Sequence, residues 1–200
     1  KALNEAFSPG GDAGKAIGDF LSLADAIGGV SLAPQSQGSA YIKLEPGNYG
    51  VSATSGGGPD ETSIATYFAV SVSEGERAEA PTAALSLHMM DFHFDFPETL
   101  SAGEQLWEVN GMGQPHLALI FKLNEGATAE DVLTFMSETE AGGPPPFDFG
   151  TVISAILSGQ TFYTPVNLSP GNYVAVCPLP NMGGEGDHAE QGMVDSFTVQ

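Results

Sequence analysis

Hydrophobic and polar positions alternate in short runs, and glycine- and proline-bearing turns separate the runs. Asp91-Phe-His-Phe-Asp-Phe96 alternates strictly, which predicts the end of a half-buried strand over 86–96 with its aromatics on one face. Phe96-Pro97 closes that strand, Ala102-Gly-Glu104 turns the chain, and a second strand follows over 105–110. Gly111-Met-Gly-Gln-Pro115 reads as a tight loop, from which His116 opens the apolar run His116-Leu-Ala-Leu-Ile-Phe121 of a strand reaching residue 123. Over 128–138 the period lengthens, and Val132, Leu133 and Phe135 fall on one helical face. Pro170-Gly-Asn172 is a turn that feeds the buried strand 173–177, and 194–199 is a last strand. A second helical segment carries Phe20, Leu21, Leu23 and Ala24. Many short strands with few helices predict an all-β, Greek-key β-sandwich with short helical insertions.

The pattern occurs twice. IKLEPGNYGVSA at 42–53 matches VNLSPGNYVAVC at 166–177, with Leu44/Leu168, Pro46/Pro170, Gly47/Gly171, Asn48/Asn172 and Tyr49/Tyr173 at one constant offset. A helical segment precedes each copy, and Tyr67-Phe-Ala-Val70 follows the first as Ser196-Phe-Thr-Val199 follows the second. Such self-similarity predicts duplication of one domain, with a boundary near Pro81: an incomplete copy at 1–80 and a fuller one at 81–200. The first copy has no counterparts of the strands at 86–96, 105–110 and 116–123. The chain is therefore expected to be a fragment of a longer protein, the alternative being a neighbouring subunit that completes the first sandwich by strand addition.

Composition narrows the function. A chain of 200 residues with 42% hydrophobic residues can bury a real core. Five Lys and Arg face 25 Asp and Glu, for a formal net charge of -20, which repels phosphate backbones and anionic lipid. Nucleic-acid binding and membrane insertion are excluded on that ground, and no apolar run approaches the roughly 20 residues of a bilayer span. The acidity is first a solubility feature, with a docking surface for a basic redox partner protein as the sharper alternative. One cysteine rules out an internal disulfide framework. An extracytoplasmic location (periplasmic, cell-surface or secreted) is the expectation for a processed chain that starts at Lys1.

The chemistry sits in the second copy. Its strand ends in the only cysteine, Cys177, a loop then carries His188 and Gly192-Met193, and a final strand follows. His116 opens a neighbouring strand, at the end of the sandwich where Cys177 also lies. One thiolate, two imidazoles and a weak thioether are the donors of a mononuclear copper site. Taken singly, each residue has a plainer role: Cys and Met pack cores, and lone histidines seldom bind metal. The first copy keeps the frame without the ligands, with Ala53 at the place of Cys177 and Ile64 at that of Met193. His88-Met89-Met90 and His93 form a further soft-donor group, read as core methionines with exposed histidines rather than a secondary Cu(I) contact. Neither Gly-x-Ser-x-Gly, a phosphate-binding Gly-Lys-Ser/Thr nor His-Glu-x-x-His occurs, and no enzyme activity is expected.

Asn110-Gly-Met-Gly-Gln-Pro-His116, Pro170-Gly-Asn-Tyr-Val-Ala-Val-Cys177 and His188-x-x-x-Gly192-Met193-Val-x-x-Phe-x-Val199 together resemble the cupredoxin, or blue-copper, family. The resemblance covers residues 85–200 and, more weakly, the first copy. It implies a sandwich of cupredoxin type holding one copper ion, with His116 and His188 as imidazole ligands, Cys177 as the thiolate and Met193 as the axial thioether. It also implies one-electron transfer between larger redox proteins. The rival reading is a metal-free sandwich acting as an extracellular structural or interaction module. Two features depart from the family pattern. Ten residues lie between Cys177 and His188, where the family has a step of two to four, and Leu117 stands where a polar residue often follows the first histidine. The glycine-rich insert either loops out or displaces His188, and Met182 within it is an alternative axial donor.

Overall fold

A computed structural model describes residues 24–32, 37–55, 64–76, 78–137 and 143–200. The helical segment expected at Phe20, Leu21 and Leu23 lies outside the described residues; Ala24 is in a bend. The chain divides into two compact units, the larger formed by Ala24–Ile42 with Pro81–Gln200.

The larger unit is the expected all-β sandwich. One five-stranded sheet is ordered β1 (Tyr41–Ile42), β10 (Thr161–Leu168), β7 (Gly103–Gly111), β4 (Leu85–Met90) and β5 (His93–Asp95). The other is ordered β6 (Thr99–Leu100), β12 (Val194–Val199), β11 (Gly171–Val176), β8 (His116–Leu123) and β9 (Phe147–Ile156). Two pairings are parallel, β4 with β7 and β12 with β6, and the rest are antiparallel. Alternate residues of both sheets are buried, among them Leu87, Met89, Trp107, Val109 and Phe162 from the first and Ala118, Ile120, Ala175, Phe197 and Val199 from the second.

Strand β11 is buried on both faces, which is why Tyr173-Val-Ala-Val-Cys177 reads as a continuous apolar run rather than an alternating one. Its outer face is covered by α1 (Ala129–Ser137), whose Val132 packs with Phe121, Val174 and Val176. The helix begins where Thr128 and Asp131 cap each other. Thr128 N donates to Asp131 Oδ2 at 2.8 Å, and Asp131 N donates to Thr128 Oγ1 at 3.3 Å. With Val174 and Val176 turned to the helix, Tyr173, Ala175 and Cys177 point into the sandwich. His116 shares the inward face of β8 with Ala118 and Ile120, so both donors meet at one end of the core.

One expected strand is two. The run 86–96 breaks at Asp91-Phe92, where β4 turns back into β5 and Met90 pairs with His93. The phase of alternation flips here, from apolar Leu87 and Met89 at odd positions to Phe92, Phe94 and Phe96 at even ones, and the adjacent Met89-Met90 marks the flip. Asp91 to Phe96 alternates strictly by itself, which is why it reads as part of one strand. The turn also changes the faces. His88, Met90, His93 and Asp95 share one side of the hairpin, while Met89 and Phe94 enter the core. β9 is a strand the hydrophobic pattern left unassigned.

In the smaller unit, β2 (Gly47–Ser55) pairs antiparallel with β3 (Ile64–Val72). The same local bonds recur in both matching segments. Tyr49 OH donates to Glu45 O at 2.6 Å and Tyr173 OH to Ser169 O at 2.8 Å, four residues upstream in each case. Ser71 Oγ donates to Asn48 Oδ1 at 2.9 Å, and Thr198 Oγ1 to Asn172 Oδ1 at 3.1 Å. The ladders also correct the sequence match. Tyr49 faces Val70 as Tyr173 faces Phe197, so Val70-Ser-Val72 corresponds to Phe197-Thr-Val199, two residues later than expected. A shift of two keeps every side chain on its face, which is why the hydrophobic pattern did not resolve it. The counterpart of Met193 becomes Thr66 instead of Ile64, and neither is a metal donor.

Candidate metal centre

Three donors converge at the buried end of β8 and β11. His116 Nδ1 lies 3.1 Å from His188 Nδ1, and Cys177 Sγ lies 3.4 Å from the same nitrogen. All three residues are fully buried, and their donor atoms lie within 4.8 Å of one another. Among the described residues this is the one group of three or more His, Cys, Asp or Glu side chains so arranged.

The ten-residue insert does not displace His188. It closes on itself as a hairpin finger: His188 N donates to Leu179 O at 2.8 Å and Asn181 N to Gly186 O at 2.9 Å, with a bridge between Pro180 and Asp187. Leu179 and His188 are thus direct neighbours across the base of the finger. Measured along that base, His188 follows Cys177 as closely as in a short loop, with Pro178 and Leu179 between them. Past the finger, Asp187 N donates to Glu190 Oε2 and Glu190 N to Asp187 Oδ1, a reciprocal cap that fixes the turn bearing His188. Gln114 anchors the tip, its Oε1 accepting from Met182 N at 2.5 Å and its Nε2 donating to Asn181 Oδ1 at 3.3 Å.

Met193 joins the same knot. It is fully buried, its N donates to His188 O at 2.8 Å, and Cys177 N donates to its carbonyl at 3.2 Å. Met182 is 54% exposed at the finger tip, away from the buried donors. His88 and His93 also stand apart, paired with Asp95 at 3.6 Å and Asp195 at 3.7 Å on partly exposed surface.

Hydrogen bonds orient the donors. His116 Nε2 lies 3.2 Å from Asp91 Oδ1 and 3.1 Å from Met112 O; two oxygen acceptors assign the proton to Nε2 and leave the Nδ1 lone pair facing Cys177 and His188. Backbone N–H groups of Leu117 and Leu179 bond to the Cys177 sulfur. Leu117 therefore meets the site through its backbone N–H. The edge of the Phe92 ring meets the His188 ring, with centroids 5.5 Å apart and planes at 83°. His188 Nε2 is buried and finds no hydrogen-bond partner within the described residues.

The electrostatics keep the metal-free site neutral. Burial lowers the pKa of His116 against the opposing pull of Asp91, and burial followed by the neighbouring His116 lowers that of His188. Burial also pushes the Cys177 thiol up to about 11. The donors suit a soft to borderline transition metal: two imidazole nitrogens and a sulfur, with the nearest carboxylate on the far side of an imidazole. Two imidazole nitrogens 3.1 Å apart have room for a single proton between them, and a cation satisfies both lone pairs and the sulfur at once. The residues present therefore fit a copper ion. Asp91, Phe92, Gln114 and the backbone of Leu179 are site residues that sequence reasoning missed. Asp187-x-x-Glu190 was readable as a cap, whereas Asp91 was concealed inside an apparent strand.

No protein-family model matches the chain, and no curated protein matches it. Among solved structures, auracyanin B is 18% identical, matching 63% of this chain and 96% of its own with a TM-score of 0.37. Auracyanin A, a blue copper protein of the green thermophilic photosynthetic bacterium Chloroflexus aurantiacus, is 18% identical over 57% of this chain and 99% of its own, with a TM-score of 0.34. A multi-copper oxidase of Pediococcus acidilactici is 14% identical over 64% of this chain and 28% of its own, with a TM-score of 0.32.

Proposed function

We propose that the protein is a cupredoxin-like electron carrier that holds one copper ion at His116, Cys177 and His188, with Met193 as a weak axial donor. The observation that carries this reading is the finger: a ten-residue insert folded so that His188 returns beside Cys177 and His116. Copper bound there would supply one-electron chemistry between Cu(II) and Cu(I). The chain's own part is to hold three donors rigidly between two sheets, exclude water, and give up the Cys177 proton as metal enters. A rigid, buried donor set limits rearrangement between oxidation states and suits a carrier rather than an enzyme.

In this reading residues 1–80 hold an incomplete, ligand-free copy of the sandwich and residues 81–200 the copy with the site. The shared tyrosine and asparagine bonds support that view. A redox partner protein and an extracytoplasmic location belong to the same proposal. No helix among the described residues is long and apolar enough to cross a membrane.

Titration of the reduced protein with Cu(II) tests the reading. One equivalent should give an intense visible thiolate-to-copper band that is absent in Cys177→Ser. No stoichiometric uptake with the thiol free would sink it.

A further inference from the structure

We propose that the two-residue turn Asp91-Phe92 is a positioning device for the metal centre, with one side chain on each imidazole and a negative charge held behind His116. Its redox consequence rests on the copper reading above; its positioning part rests on the geometry alone. β4 and β5 are joined by these two residues only, and Phe92 takes a φ of 62°, a left-handed conformation costly for a bulky side chain. Phe92 is the only non-glycine residue with positive φ among those described, and it lies against His188.

Asp91 Oδ1 accepts from Gln114 N at 2.6 Å and from His116 Nε2 at 3.2 Å. Gly113 faces that carboxylate at a φ of +77°, and a Cβ there would overlap it. The loop that delivers His116 is thus shaped around the Asp91 carboxylate, and through Gln114 the same loop holds the finger that delivers His188. A carboxylate on the far nitrogen of a ligating histidine fixes its tautomer and raises its basicity. It also favours the more positive state of the bound metal, here Cu(II) over Cu(I).

Two substitutions separate the charge from the hydrogen bond. Asp91→Asn keeps an oxygen acceptor and removes the charge, so the ratio of Cu(II) to Cu(I) affinity should fall about tenfold, raising the potential by about 59 mV for a one-electron couple. Asp91→Ala removes both and leaves Met112 O as the one acceptor at Nε2, so nitrogen-detected NMR of the metal-free variant should show the Nε2–H tautomer of His116 less populated than in the wild type. Unchanged potentials in both variants, or a wild-type His116 protonated at Nδ1, would overturn the proposal. If wild-type protein takes up no copper, the copper reading fails and the tautomer measurement alone decides the positioning claim. If Asp91→Ala does not fold, the Asn variant and the wild-type tautomer decide it.

Discussion

Cys177, His116 and His188 are all held neutral by burial, which gives the metal-free protein a stability window with two edges. The histidines have pKa values below their usual 6.5, so the unfolded chain binds protons that the folded one refuses. Stability is therefore complete above about pH 6.5 and falls as pH drops below it. The thiol behaves oppositely. Its pKa rises from 9.0 to about 11, so its contribution is intact below pH 9 and is lost as pH climbs through 11. That alkaline loss amounts to roughly 2–3 kcal/mol. Urea denaturation of the metal-free protein from pH 5 to 11 should show both edges, and Cys177→Ser should flatten the alkaline one. An alkaline limb unchanged in Cys177→Ser would show that the thiol is not held neutral by the fold.

At the level of elements, the hairpin finger decides whether the donors meet. Its base bonds do the positioning, and its tip adds the bonds to Gln114 and one from Gln191 Nε2 to Glu185 O at 3.4 Å. Replacing residues 182–185 by Asn-Gly, a two-residue turn suited to a hairpin, should leave copper stoichiometry and the visible band intact. Loss of the band in that variant would mean the tip, rather than the base, places His188. The finger also shows where sequence reading reached its limit. Cys177, His116, His188 and Met193 were legible because strand ends and turns fix their order along the chain. That Leu179 and His188 are bonded across the eight residues between them was not, because a glycine-rich stretch has no hydrophobic period to reveal its pairing. The Asp91-Phe92 turn was missed for a different reason: Asp91 to Phe96 alternates strictly by itself, and the phase flip that marks the turn lies just before it, at Met89-Met90. Tyr49 and Tyr173 lie between these cases, since the repeated Pro-Gly-Asn-Tyr marked the position but not the bond each hydroxyl makes four residues back.

Across the whole molecule, charge works against the compact state. The formal net charge is -20, and within residues 81–200 the only basic residue is Lys122, whose amine donates to Ser169 Oγ at 2.8 Å. Self-repulsion among so many carboxylates is screened by salt, with a Debye length of about 10 Å at 0.1 M and about 3 Å at 1 M. The melting temperature should therefore rise from low salt to 1 M NaCl, where a protein held by surface ion pairs would lose stability instead. The redox partner of the proposed function would, in this field, be a cationic protein whose association slows as salt is added. The claim at the centre of the account is that one sulfur and two imidazoles bind a single copper ion, and X-ray absorption at the copper edge of loaded protein addresses it most directly. One sulfur at short range with two imidazole nitrogens is the predicted environment, and Cys177→Ser should remove that sulfur. Copper surrounded only by nitrogen and oxygen in the wild type would contradict it.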